Sequence, residues 1–192
     1  MVAKTEAEKA IVVYLVKQPH VTSAGPIGPS GWTSSTGIGG PGADPSTIEF
    51  QMTRTLPTCQ MHSVSFTNHR GIPMGLIVRT WQNPDGSCVV APVGGGSPGR
   101  SRRTKPWVNF TAGFDAGGFT AGGHVEGTRS DEARMVRLTF ADGFVLEDAV
   151  DNGIVLFFEP RGVIFPADAE IFDDGGRRLA NYKAFDDAPF IR

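Results

Sequence analysis

Cys59, His62, His69 and Cys88 are the ligand types of a tetrahedral zinc site. Cys59 and His62 lie three apart, so on a continuous strand they point to opposite faces. Only a turn at Pro57 would bring them together. The two thiols have two other readings: a Cys59–Cys88 disulfide tying the strand after Pro57 to a later hairpin, or separate thiols. Asp148-Ala149-Val150-Asp151-Asn152-Gly153, then five residues and Glu159, fits the calcium-loop pattern D-x-[DN]-x-[DN]-G-x5-E except at Val150. Calcium takes six to eight oxygens, and an EF-hand frames its loop with helices. Val150 removes a ligand and the flanks read as strands, so the Asp-Asn-Gly run is read as a hairpin turn. No metal site and no cofactor is expected.

For nucleophilic catalysis the chain has no G-x-S-x-G elbow. A hydrolase would have to assemble its site from separate loops, with His62, His69 and His124 the first residues to test. The carboxylate pairs Glu147-Asp148, Asp173-Asp174 and Asp186-Asp187 are adjacent in sequence, and neighbours on a strand diverge. They read as solvated turn acids. The strongest binding candidate is basic: Arg100, Arg102, Arg103 and Lys105 fall within six residues, with Trp107 close by to stack. Asn109-Phe110-Thr111 is a glycosylation sequon, which matters only in a eukaryotic secretory route.

These residues need elements to hold them, and the pattern is β. Ile48–Thr55 is one candidate strand. His62, Val64 and Phe66 share a face of a second, with Ser63 and Ser65 opposite. Met74–Trp81, the turn Asn83-Pro84-Asp85-Gly86 and Cys88–Ala91 make a hairpin. Val136, Leu138 and Phe140 alternate with Arg137 and Thr139. Asp142-Gly143, Asn152-Gly153 and Asp173–Gly176 supply residues that accept positive φ. Ile154–Phe158 is apolar on both faces and is expected to be a central strand. FTAG occurs at 110–113 and again at 119–122, too few copies for a repeat array.

The first 20 residues are ambiguous. Thr5 and Glu8 have capping-box spacing, but Ile11–Val16 is so β-branched that a buried strand is the stronger reading. Residues 21–47 hold 7 Gly, 4 Pro and 9 Ser or Thr, and are expected to be a linker or extended loop. Within them, Gly37–Gly42 spells GxGxxG with no helix after it, and GPIGPSG has too few triplets for collagen. The sandwich domain is placed at 48–183 and a tail at 184–192.

The chain has 192 residues, 40% apolar and 20% charged, with a net charge of −2. That balance gives no general attraction to nucleic acid or anionic membrane. No run reaches the roughly 20 apolar residues of a membrane helix. Ile11–Val16, behind Glu6, Glu8 and Lys9, lacks the form of a secretory signal.

The units VRLTFADG, VLEDAVDNGIVLFF and ADAEIFDDGGRRLA resemble immunoglobulin-like β-sandwich repeats of bacterial, actinobacterial-type surface and secreted proteins. The resemblance spans about the last 60 residues, rests on turn chemistry, and implies an exported binding or structural module without catalytic residues. The expectation is therefore a mainly β, antiparallel, immunoglobulin-like β-sandwich with long Gly/Pro-rich loops, acting as a non-enzymatic module with a protein partner. A subunit of a larger assembly, donating its N-terminal run as a strand, is the alternative, followed by a loop-built hydrolase.

Overall fold

The computed structural model describes residues 5–17, 42–96, 104–115 and 118–185. The first element is a helix, α1 (Glu6–Val16). The Thr5 hydroxyl accepts from the Glu8 N–H at 3.1 Å, and the Glu8 carboxylate accepts from the Thr5 N–H at 3.0 Å. The capping box is complete. The helix then runs through Ile11–Val16, overturning the strand reading of this run. The reason is tertiary: one turn apart, Ile11 and Leu15 are both fully buried. That burial outweighs a helix-propensity deficit of only tenths of a kcal/mol per β-branched residue.

Among the described residues eleven strands follow, all paired antiparallel, in three sheets. Sheet I orders β1 (Glu49–Thr55), β2 (Gln60–Thr67), β3 (Pro73–Gln82) and β4 (Cys88–Gly96) consecutively. Sheet II orders β5 (Trp107–Asp115), β6 (Gly118–Glu126) and β9 (Ile154–Glu159). Sheet III is made of β7 (Met135–Phe140), β8 (Val145–Ala149), β10 (Ala167–Phe172) and β11 (Arg178–Phe185), ordered β11-β10-β7-β8.

Three apolar layers stack these elements. Ile11 and Leu15 of α1 pack on Val64, Phe66 and Val78 of sheet I. The opposite face of sheet I, through Met52, Met61 and Ile77, meets Ile154 and Leu156 of β9. The other face of β9, Val155 and Phe157, joins the largest core between sheets II and III. At its centre Phe119 is fully buried, edge-on to Phe140 at 5.6 Å, Phe165 at 5.9 Å and Phe185 at 6.2 Å.

β9 corrects one expectation in an instructive way. It is apolar on both faces, yet among the described residues it is an edge strand of its ladder, paired with β6 alone. Its two-sided burial comes from lying between sheets. The chain reaches it through Asn152 (φ 50°) and Gly153 (φ 73°), a two-residue turn closed by bonds between Asp151 and Ile154. This turn carries the chain from sheet III to sheet II. The turns at Gly86, Gly143 and Gly176, all with positive φ, instead join neighbouring strands of one sheet, as the sequence predicts.

The FTAG copies are antiparallel neighbours on β5 and β6, with Ala112 opposite Ala121. Phe and Ala of both copies line the core with sheet III. The Thr and Gly positions take the other face. There a Cβ on Gly122 would sit 2.5 Å from Ile77 Cδ1 and 2.8 Å from both Leu156 Cδ2 and the Val155 carbonyl, so glycine sets how closely sheet I approaches. The copies match because both strands face the same two layers.

Sheet II has its two edges tied by side chains from sheet III. The Val108 N–H of β5 donates to the Tyr182 hydroxyl at 2.6 Å, and the Leu156 N–H of β9 donates to Asp148 at 2.7 Å. The outer face of sheet III carries Glu147, Arg137, Glu170 and Arg178 in alternating charge across its four strands. Described structure lies outside the 48–183 bounds at both ends: the Gly42 N–H donates to the Lys17 carbonyl at 2.9 Å, a 3-10 turn spans Pro45–Thr47, and Ala184 and Phe185 pack on the core. Residues 18–41, most of the expected linker, and 186–192 of the expected tail lie outside the described residues.

Candidate functional site

Among the described carboxylates the most deeply buried is Asp148, 5% exposed on β8. One carboxylate oxygen receives the Arg54 guanidinium from β1, and the other receives the Leu156 N–H of β9. Arg54 Nη1 also donates to the Leu156 carbonyl at 3.4 Å. The three strands belong to three different sheets, so one ion pair pins all of them together. A buried carboxylate must be paired and hydrogen-bonded to be tolerated, and this one is both. Burial lowers the Arg54 pKa, opposed by the Asp151 carboxylate.

This node also disposes of the calcium-loop reading. Its first residue, Asp148, is taken up by Arg54 and Leu156. Its last, Glu159, accepts from the Arg161 N–H at 2.9 Å and from Arg161 Nε at 3.2 Å. The two carboxylates stand on different sheets. Glu147 points away from Asp148 to pair with Arg137 at 2.6 Å, the divergence expected of strand neighbours. Asp173 closes the β10–β11 turn by accepting from the Gly175 and Arg177 amides, and the Arg177 amide is the chief reason its pKa is lowered.

His62 is 1% exposed on the face of sheet I that α1 covers. Its Nδ1 lies 3.0 Å from Thr53 Oγ1 and its Nε2 3.1 Å from Thr80 Oγ1, with the ring edge-on to Phe50. Desolvation brings its pKa down to about 4, against the pull of Glu8 on α1. The imidazole is therefore neutral at pH 7, with its one donor and one acceptor both engaged. His69 is exposed in the turn after β2. His124 is exposed on β6 opposite Asn109, its pKa lowered by desolvation and raised by Glu126. The three histidines occupy separate places and build no common site.

No disulfide joins Cys59 and Cys88, which corrects that reading. β3 lies between their strands, and two strand spacings come to about 9–10 Å. A disulfide needs Cα atoms within about 7 Å. Burial, and then the Glu6 carboxylate, raise the Cys88 thiol pKa. Among the described residues no three His, Cys, Asp or Glu side chains come together as a metal site. No helix among them is long and apolar enough to cross a membrane.

Of the basic candidate, Arg100, Arg102 and Arg103 lie outside the described residues. Lys105 is exposed, and Trp107 opens β5, half-buried and opposite Glu126. A cation that sequence reasoning missed is Arg79 on β3, 4% exposed, its guanidinium 5.0 Å from the Trp81 ring and 5.6 Å from the Phe158 ring. It clamps sheet I to sheet II by cation–π contact. Arginine in a strand ordinarily reads as solvent-facing. The available signal was that Ile77 and Val78 are apolar on consecutive positions, which marks β3 as buried on both faces.

Comparison with models of protein families, with curated proteins and with solved structures finds no match to this chain.

Proposed function

We propose that this chain is a non-enzymatic binding or structural β-sandwich module whose partner is a protein. The observation that carries this reading is the state of its buried ionisable groups. Both ring nitrogens of His62, both oxygens of Asp148 and one oxygen of Glu159 are engaged by the fold itself. A general base or metal ligand needs a lone pair turned toward substrate. The immunoglobulin-like character of the sheet pair belongs to this proposal. It is supported by sheets II and III meeting across one core and by hairpin turns with Asp-Gly and Asn-Gly chemistry. The residues proposed to meet an acidic partner lie in the sequence between β4 and β5: Arg100, Arg102, Arg103 and Lys105, with Trp107 following.

Two measurements test this. The intact chain, assayed on ester, phosphoester, glycoside and peptide substrates, is expected to give no turnover above a heat-inactivated blank. Turnover abolished by His124→Ala or His69→Ala overturns the non-enzymatic reading. Binding to immobilised polyglutamate at low salt is expected to disappear in the Arg100→Glu/Arg102→Glu/Arg103→Glu variant. Equal retention of that variant removes the basic segment from the proposal.

A further inference from the structure

An unprotected sheet edge invites pairing with another chain, and natural sheets blunt their edges with bulges, charges or covering groups. Three edge strands here carry bulge residues: Gln51 on β1, Val93 on β4, and Leu179 and Ala184 on β11. Two others have an edge N–H taken by a side chain, Val108 of β5 by Tyr182 and Leu156 of β9 by Asp148. β8 has neither device. It pairs with β7 in unbroken register, from Met135 opposite Ala149 to Thr139 opposite Val145. The Phe140 N–H donates to the Phe144 carbonyl at 2.9 Å, and the Val150 N–H to the Arg134 carbonyl at 2.8 Å. Antiparallel alternation between those two bonds turns the backbones of Leu146 and Asp148 toward β7 as well. The backbones of Val145, Glu147 and Ala149 therefore point outward, and no group among the described residues accepts from their N–H groups.

This edge is accessible and carries one sign of charge. Val145, Glu147 and Ala149 are all exposed, Val145 at 42%. Residues 138–160 contain no Lys or Arg, while Asp142, Glu147 and Asp151 are exposed along β8 and its two turns. Arg137 reaches only one oxygen of Glu147, placing Nε and Nη2 at 2.7 and 2.6 Å from Oε1. Oε2 remains to receive a second cation. Asp148 points to the other face and is taken up by Arg54 and Leu156. These features discriminate between occupants. A second copy added antiparallel over the full length of β8 sets Glu147 against Glu147, and like charges directly opposite are destabilising. We infer that the outer edge of β8 is a strand-addition site for an extended segment of a protein partner. A lysine or arginine of that segment lies across from Glu147, with apolar side chains two residues to either side covering Val145 and Ala149. Main-chain bonds to the three outward residues supply affinity, and the Glu147 pair fixes the register. The inference rests on the reading of this chain as a protein-binding module and is independent of the basic residues between β4 and β5.

The test uses the intact chain and the synthetic peptide TTVTKTVTT, followed by residue-resolved amide hydrogen exchange. The Val145, Glu147 and Ala149 amides are expected to exchange rapidly in the free chain and to slow as peptide is added to millimolar concentration. The glutamate-centred peptide TTVTETVTT is expected to bind several-fold more weakly, and Glu147→Lys to reverse that preference. N-methylation of the lysine and both valines of the first peptide is expected to abolish binding, a result that needs no variant of the protein to fold. Unchanged exchange at all three amides in the presence of millimolar peptide overturns the inference. So does slowing confined to another edge strand, or equal binding of the two peptides. Slowing of the three amides in the chain alone, growing with its own concentration, also overturns it and assigns the edge to a second copy. The turnover and polyglutamate assays are read separately, so a failed edge leaves the non-enzymatic reading standing.

Discussion

Replacing either member of the Arg54–Asp148 pair tests whether it pins the three sheets, and burial fixes the order of the costs. The Asp148 side chain is 4% exposed and the Arg54 side chain 30%. Arg54→Met strands a carboxylate among apolar neighbours with only the Leu156 N–H for company. Breaking a buried pair in this direction costs roughly 3–5 kcal/mol. Asp148→Asn keeps an acceptor for the Leu156 N–H and leaves a guanidinium that can turn toward water, so its cost is about 1–2 kcal/mol. Asp148→Leu also orphans that N–H and adds about 1–3 kcal/mol. The double variant Arg54→Met/Asp148→Leu removes both charges and is expected to be more stable than Arg54→Met alone. Urea unfolding at neutral pH ranks the four through their midpoints at constant m. Arg54→Met costing no more than Asp148→Asn would refute the reasoning.

Three further outcomes follow from the packing. His62, held at about 4 against an ordinary 6.5, is matched in the unfolded chain by an imidazole that takes up a proton throughout that interval. Stability therefore falls by roughly 3 kcal/mol as pH drops from 6.5 to 4, and His62→Gln is expected to flatten this limb of the urea-midpoint profile. Parallel profiles for parent and variant would contradict it. Phe119→Ala empties the centre of the core and is expected to cost about 3–5 kcal/mol, lowering Tm by roughly 6–20 °C in calorimetry. A shift of a degree or two would show that the ring cluster repacks. Gly122→Val forces a side chain into Ile77, Leu156 and the Val155 carbonyl, with an expected loss of about 1–3 kcal/mol by thermal melt. An unchanged melt would mean that sheet I can retreat from sheet II without loss.

The hairpins were legible in the sequence because turn chemistry is local: Asp142-Gly143 and Asn83–Gly86 state their conformation within four residues. The capping box was legible for the same reason. Ile11–Val16 was not, since a β-branched run becomes a helix only where Ile11 and Leu15 find a floor contributed by residues far along the chain. The period of β9 reported burial correctly and neighbours incorrectly, because alternation records which faces are covered and is blind to what covers them. The Arg54–Asp148 node was invisible for a plainer reason. Its partners are 94 residues apart and nothing local to either announces the other. His62 was seen as a ligand type, and its role as a saturated core group emerges only once Thr53 and Thr80 flank it.

The turn at Asn152-Gly153 has a kinetic side. Hairpins such as β3–β4, β5–β6 and β7–β8 need only close a short loop, an event of microseconds. β9 must find β6 across the whole of β7 and β8, and β10 must return to β7 past β9. These are the joins that topology makes slow, and chains dominated by them fold in milliseconds to seconds. If the β5–β6 and β7–β8 hairpins form first, closing that one two-residue turn is expected to place β9 next to β8, so that the search for β6 becomes the docking of two hairpins. On this expectation the pivot between the sheets sets when sheets II and III can meet.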